Sequence, residues 1–241
     1  MDSTPTTPDI AILTHHKCAS NWLRAICHGL SRANLITLSV SGGQKQEMKD
    51  ASGDATKTVL LNVNATSGST AAIDLDLQPN IHFVRDPRDA FVSNYWSWLN
   101  SHSNNTDDIL DFRKRAQNMP VEEGMLELIQ KFPMGKQLET WSDELWDKTR
   151  LVKYENMLQD FGAALDSMFT PCGLKISPEV SKEIEASTSF KKITGRDAGD
   201  ENLQHHFRKG ISGDWKNYFT GELQDAFLER YGWMGKRLNY W

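Results

Sequence analysis

At 241 residues, with 39% hydrophobic and 24% charged residues, the chain is long enough for one α/β domain with a substantial core, and nothing in it demands a second. A net charge of −5 excludes the general basic field that would hold nucleic acid or an anionic membrane surface, so any bound anion must be met by a local cluster. Three cysteines without CxxC spacing, Cys18, Cys27 and Cys172, argue against a disulfide framework or a zinc site and for a reducing cytoplasm; the N-terminus carries no basic and apolar leader, and no apolar run reaches membrane-spanning length.

The run "IAIL" at 10–13 reads as a short buried strand. It breaks into "THHKCASN", after which Trp22, Leu23, Ile26, Cys27 and Leu30 recur at helical spacing. Residues 41–57 are polar and glycine-bearing, a surface or mobile segment ahead of a second strand, "TVLLNV" at 58–63. A third strand, "NIHFV" at 80–84, leads into "DPRDAFVSNYWSWL", where Asp86 is the expected cap of a helix and Pro87 its first residue. "ELWDKTRLVKYENML" reads as the end of a helix, a strand at 150–154 and a further turn. Strands alternating with helices imply an α/β fold in a single domain over 1–241: a mainly parallel central sheet flanked by helices, with ligands beyond the strands' carboxyl ends.

Three stretches carry anion chemistry. In the first, the amides of a helix N-terminus, the Ser20 hydroxyl, the Asn21 amide and the Lys17 ammonium can converge on one tetrahedral anion. A simple helix cap at Ser20 would need no lysine at the strand end. The loop is not a Walker A sequence, since it has no glycine. In the second stretch Arg85 ends a strand and Ser93 lies about two helical turns on, so both can face a phosphate; a surface pair of Arg85 with Asp86 or Asp89 is the plainer alternative. The third, "HFRKGISGDWKNYFT" at 206–220, sets Arg208 and Lys209 before two glycines and an aromatic pair, a pattern that suits a loop wrapped around phosphate.

On these residues the chain resembles the cytosolic sulfotransferases, whose donor is 3′-phosphoadenosine-5′-phosphosulfate (PAPS). "RKGISGDWKNYFT" is similar nearly throughout to that family's RKGxxGDWK signature with its following aromatic-Thr pair. The resemblance implies a P-loop-like loop for the 5′-phosphosulfate, with Lys17 as its lysine, Ser20 and Asn21 in the places of two hydroxyl residues, and Trp22 stacking on adenine. It implies a 3′-phosphate clamp of Arg85, Ser93, Arg208, Lys209 and Gly210. Tyr154 in "YENM", and Thr188 and Phe190 in "TSF", correspond to segments lining the adenine.

Departures accompany the match. Cys18 and Ala19 stand where the family usually has Ser and Gly, and the strand that should carry a catalytic Lys-Thr-His string reads "VLLNVNATSG". Asn62 or Asn64 can orient an acceptor there but cannot take a proton near neutral pH. The resemblance implies an in-line displacement, with Lys17 stabilising the leaving phosphate of the product PAP. Of seven histidines, His16 beside Lys17 is the best placed to be the base, an imidazole's ordinary pKa of about 6.5 lying near working pH. The expectation is a metal-independent, cytoplasmic PAPS-dependent sulfotransferase acting on a hydroxyl or amine of a small molecule or natural product, without nucleic-acid or membrane partners, and monomeric or homodimeric. The family's KxxxTVxxxE dimer string is only partly kept in "KNYFTGELQD". Alternatives are a non-catalytic PAPS or PAP binder, favoured by the missing histidine, and a nucleotide or small-molecule kinase, disfavoured by the missing Walker A sequence. Acceptor loops are expected at 41–57 and 101–113.

Overall fold

The two central strands are buried along their whole length because they lie between parallel neighbours with helices above and below. The computed structural model describes residues 8–41, 47–48, 57–71, 73–76, 78–102, 106–131 and 134–241. In chain order its elements are β1 (Ile10–Thr14), α1 (Ser20–Arg32), β2 (Ile36–Ser41), β3 (Glu47–Met48), β4 (Lys57–Val63), α2 (Ser67–Thr70), β5 (Asn80–Val84), α3 (Pro87–Trp96), a π-helical turn (Ser97–Ser101), α4 (Asp107–Ala116), α5 (Val121–Lys131), α6 (Lys136–Glu139), α7 (Asp143–Asp147), β6 (Thr149–Lys153), α8 (Tyr154–Gln159), α9 (Phe161–Phe169), α10 (Pro178–Thr188), α11 (Phe190–Thr194), a 3-10 turn (Asp214–Asn217) and α12 (Gly221–Arg237). They fall into two compact units, 1–84 with 136–189 and 85–135 with 190–241.

The first unit holds the whole sheet, in the order β3-β2-β4-β1-β5-β6. β1, β2, β4, β5 and β6 run parallel, and only the two-residue edge strand β3 is antiparallel, against β2. Every residue of β1 and β5 is buried, as expected of central parallel strands covered on both faces. Side-chain alternation splits them. Ile10 and Ile12 of β1, Val59 and Leu61 of β4, and Ile81 and Phe83 of β5 join one core with Leu23, Ile26, Cys27 and Leu30 of α1 and Leu165, Met168 and Phe169 of α9. On the opposite face Leu13 is in register with Asn62 of β4 and with His82 of β5. Two polar side chains thus flank one leucine under the carboxyl ends of the strands.

The second unit is helical. Asp86 accepts the Arg88 amide at 2.9 Å and Pro87 occupies the first position of α3, the start the sequence announces. Phe91 of α3 packs edge-on to Phe219 and Phe227, and the Tyr231 hydroxyl of α12 accepts the Met134 amide at 3.0 Å. Past α3 the backbone opens into the π turn, and Arg113 of α4 donates to the Trp98 and His102 carbonyls at 2.5 and 2.9 Å, taking up groups that a regular helix would have paired.

Boundaries shift slightly from expectation. The strand expected at 150–154 runs Thr149–Lys153 and Tyr154 opens α8. Most of the expected acceptor loop at 41–57, and 103–105 of the second, lie outside the described residues. The three cysteines are buried and form no disulfide, and no described helix is long and apolar enough to cross a membrane.

Candidate active site

The loop between β1 and α1 is wound in an unusual way for residues that carry a Cβ. Lys17 and Ala19 both take the left-handed backbone conformation, with φ of 64° and 54°. The turn is closed by the Cys18 amide donating to the His15 carbonyl at 3.2 Å. Alternating left- and right-handed residues turn successive N–H groups toward one concave side, which makes a small anion cradle. It runs directly into a helix N-terminus, where the unpaired amides carry partial positive charge. Ala19 is the cap residue of α1 and no side chain caps the helix. Ser20 is the first helical residue, so its hydroxyl is not spent as the cap. Lys17, His16 and Ser20 are half-buried and Asn21 is exposed.

A non-glycine residue held left-handed costs about 1–2 kcal/mol. Ala19, where glycine has no such penalty, is therefore a built-in strain. Ala19→Gly should raise the unfolding midpoint by a few degrees, about 2–4 °C per kcal/mol at this size, as thermal denaturation will read directly. An unchanged or lower midpoint would mean that the left-handed turn is not strained.

Behind the loop, three expected adenine-site residues come together. The Trp22 indole N–H donates to the Thr188 carbonyl at 2.9 Å, and its ring meets Tyr154 edge-on at 5.6 Å. Trp22 itself is half-buried, so its plane is held while part of it stays open to a ligand. Thr188 contributes through its backbone: its hydroxyl donates to the Ile184 carbonyl of its own helix at 2.7 Å. Tyr154 is 6% exposed and lies against Trp22 as a support. Asn62, weighed as an acceptor-orienting group, is buried in β4 with its amide donating to Ser69. Asn64 follows the strand with φ of 60°.

The loop also draws in one residue that the sequence reading passed over. His15, the neighbour of His16, turns inward: its Nδ1 lies 3.2 Å from His82 Nε2 and its Nε2 lies 3.0 Å from Cys18 Sγ. Burial pushes His15 down to about 4 and, with the neighbouring His15, pushes His82 well below the usual imidazole range, so both rings are neutral. The only sign of this in the sequence is parity: Leu13 is in register with His82, and His15 follows two residues on, just past the end of β1.

In the second unit Arg85, Ser93, Phe190, Arg208, Lys209 and Gly210 belong to one stitched assembly. Arg85 donates to the Ile211 carbonyl at 3.3 Å; of the two acids weighed as its partner, Asp86 is paired with Arg88 at 2.6 Å, while Asp89 feels the Arg85 charge, which works against the effect of burial on its carboxyl. Gly210 takes φ of 70°, and a Cβ there would meet the Phe190 ring at 2.3 Å, so only glycine fits under that ring. Ser93 and Arg208 line a small cavity with Trp96, Ser97, Leu203 and His205.

Arg208 and Lys209 converge on the buried Asp214, Lys209 at 2.6 Å, and Arg208 also pairs with Glu201. Asn217 adds a third donor to Asp214 at 2.9 Å. Burial by itself would raise the Asp214 carboxyl, but the hydrogen bonds from Lys209 and Arg208 outweigh it and hold it below the usual carboxylate range. Two further residues fix the stretch. Asp89, buried, accepts the amides of Gly213 and Trp215 at 2.6 and 2.9 Å, and burial raises its carboxyl. Arg88 lies 3.7 Å over the Trp215 ring and 4.7 Å from that of Trp241, a stacked cation that pins the segment. What the first unit offers chemically is a half-buried lysine in a left-handed turn before a helix N-terminus; the second offers a cluster of cations ordered by one carboxylate.

Known proteins resemble this chain in sequence and in fold. Residues 79–238 match the model of the sulfotransferase domain. Human sulfotransferase 2A1 is 26% identical over 249 residues, covering 91% of this chain and 81% of that protein. Guinea-pig (Cavia porcellus) sulfotransferase 1E1 is 26% identical over 170 residues, which span 63% of this chain and about half, 52%, of that relative. Among solved structures, mouse sulfotransferase SULT7A1 complexed with PAP aligns with a TM-score of 0.64 at 20% identity, over 96% of this chain and 88% of that one. Retinol dehydratase in a complex with retinol and PAP aligns with a TM-score of 0.52 at 15% identity, over 97% and 82%.

Proposed function

The chain belongs to the sulfotransferase family, and we infer from that membership and from the two local geometries which residue does what. It is a PAPS-dependent sulfotransferase that moves a sulfuryl group to a small-molecule acceptor and releases PAP. The observation that supports the residue assignment is the turn between β1 and α1 in which Lys17 and Ala19 are both left-handed. We assign the 5′-phosphosulfate to Lys17, Ser20 and Asn21 with the amides of that turn. The adenine goes to Trp22, backed by Tyr154 and Thr188, and to Phe190. The 3′-phosphate goes to Arg85, Ser93, Arg208, Lys209 and Gly210. On this reading residues 1–241 act as one sulfotransferase domain, in the cytoplasm, as a monomer or homodimer.

PAPS supplies an activated sulfuryl group on a phosphate leaving group. The chain's contribution is to hold it and to answer charge as it develops. The Lys17 ammonium, a compact point charge, faces the oxygen that becomes negative as the bond to sulfur breaks, the kind of preorganised stabilisation that lowers a barrier most. The acceptor, a hydroxyl or an amine, must lose a proton as it attacks. His16, half-buried one residue from Lys17, is assigned that proton. A base works only when deprotonated, so kcat/KM should rise with pH through the imidazole range, about pH 5.5 to 7.5, and then level. His16→Asn should flatten that limb and lower the plateau by about 10²-fold; an unchanged profile would move the base elsewhere.

The direct test is calorimetric titration with PAP against adenosine 5′-phosphate in metal-free buffer, followed by labelled PAPS with phenols, aryl amines, androsterone and retinol as acceptors. The last two accompany PAP in retinol dehydratase structures. Binding that requires the 3′-phosphate, with label appearing on an acceptor, is the expected result. Equal affinity for the two nucleotides would overturn the assignment of the donor site.

A further inference from the structure

Beneath the loop that holds Lys17 lies a buried chain of three polar side chains to which the reaction assigns no role. We propose that His82, His15 and Cys18 form a one-way hydrogen-bonded chain that locks the turn of the donor loop and so positions Lys17 against the donor's 5′-phosphate. The proposal rests on the reading of this loop as the phosphosulfate site.

The direction of the chain follows from one unpartnered atom. His82 is fully buried, with its ring centroid 4.3 Å from that of Trp141 and 5.6 Å from that of Trp146. Its Nδ1 has no hydrogen-bond partner among the described residues. A neutral imidazole carries one N–H and one bare nitrogen. Were the proton on Nδ1, a buried donor would be left without an acceptor, which structures very seldom tolerate; a bare, unpartnered acceptor is the lesser fault. The proton therefore sits on Nε2 and is donated to His15 Nδ1, 3.2 Å away. His15 must then carry its own proton on Nε2, where it meets Cys18 Sγ at 3.0 Å. Each ring fixes the tautomer of the next.

The mechanical result is a double clasp. The Cys18 amide reaches back to the His15 carbonyl, and the His15 ring reaches forward to the Cys18 sulfur. Lys17 lies inside this four-residue turn with its left-handed φ of 64°, a conformation that a lysine does not keep unless its surroundings over-determine it. The two tryptophans hold the His82 ring in place and keep water from replacing it. Where the clasp is broken, Lys17 is free to relax and the cradle loses its shape, while the rest of the donor's binding surface is untouched.

His82→Gln, His82→Asn and His82→Leu separate the possibilities, because a glutamine amide reaches the position of Nε2, an asparagine amide that of Nδ1, and leucine neither. Affinities for PAP and for adenosine 3′-phosphate are measured by calorimetry, their ratio isolating the contribution of the 5′-phosphate. In the Asn and Leu variants that ratio should fall about tenfold, equivalent to about 1.4 kcal/mol, while adenosine 3′-phosphate binds as before, and the Gln variant should restore it. A histidine that serves only to fill space would lower the unfolding midpoint in all three and leave the ratio flat, which overturns the proposal; should the Leu variant not fold, the Gln and Asn pair decides. Nitrogen-15 NMR of the wild-type protein should find His15 protonated on Nε2, and a proton on Nδ1 would overturn the chain's direction. If the wild type itself fails to prefer PAP over adenosine 3′-phosphate, the donor-loop reading falls; if it does prefer PAP and the variants match it, only the clasp falls.

Discussion

Lys17→Ala should lower the rate of sulfuryl transfer by about 10³-fold, with much less effect on the affinity for PAP. The asymmetry follows from where charge appears. In the bound donor the bridging oxygen between phosphorus and sulfur is nearly neutral; as sulfur departs, that oxygen takes on negative charge, and only then does the ammonium act at full strength. Removing a single preorganised donor at such a position costs about 10²–10³-fold in turnover, and Lys17 is a full charge rather than a dipole. On the donor-site assignment proposed above, PAP also meets the amides of the turn and the N-terminus of α1, so its dissociation constant should rise by about tenfold or less. Single-turnover transfer from labelled PAPS gives the first number and calorimetry the second. Near-normal turnover in this variant would sink the mechanism proposed for the site.

The second large effect concerns the cations of the other unit. Arg208→Ala should raise the dissociation constant of PAP by about 10²-fold, as expected for a charge-assisted pair, and leave that of adenosine 5′-phosphate within about twofold. Equal loss for both nucleotides would reject Arg208 as a 3′-phosphate ligand. Asp214 makes the argument sharper, because Arg208 and Lys209 are both held on its carboxylate, which is buried with 1% of its side chain exposed. Asp214→Asn removes the buried counter-charge that the two cations share, leaving Arg208 only its pair with Glu201, and should destabilise the protein by about 2 kcal/mol, breaking such a pair being costly even where forming it gains little. The pH dependence has a definite sign. A carboxyl held below its usual range contributes stability at pH above that range, and the contribution drains away as pH falls through and below about 4. The wild-type protein should therefore lose stability on acidification faster than Asp214→Asn. Parallel acid profiles would mean that Asp214 titrates as an ordinary surface carboxylate.

Much of this architecture is legible in the sequence, for reasons that differ from place to place. The central strands announce themselves because burial on both faces erases polar alternation, and the start of α3 because Asp86 and Pro87 are the residues that a helix N-terminus asks for. Lys17 and the Arg208–Gly210 stretch stand out since phosphate needs fixed cations near backbone that can approach closely. Other features have no local signature. The π turn at Ser97–Ser101 depends on Arg113, a helix away, to occupy its carbonyls. β2, "ITLSVS", alternates buried and half-buried residues and is too polar to be told from a loop by eye. His16 draws attention beside Lys17, yet its neighbour His15 has the built surroundings, and only the register of β1 with β5 reveals it. Asp89 and Asp214 look like surface acids in the sequence; their partners, some 124 residues away in the case of Asp89 and Gly213, turn them into organisers of the cation cluster.

That long separation also bears on how the protein is made. Each unit is assembled from two stretches of chain, 1–84 with 136–189 and 85–135 with 190–241. Emerging from a ribosome, β1, β2, β4 and β5 are complete by Val84, whereas the edge strand β6 arrives only at Thr149 and the helical unit cannot close before Gly213 and Trp215 reach Asp89. Until then the nascent chain displays Phe91 and its neighbours without Phe219, Phe227 and Tyr231 to cover them. Such an exposed apolar face on a half-made polypeptide is what chaperones bind and what aggregation begins from. Asp214, one of the two carboxylates that order the cation cluster, is thus synthesised only after every strand of the sheet.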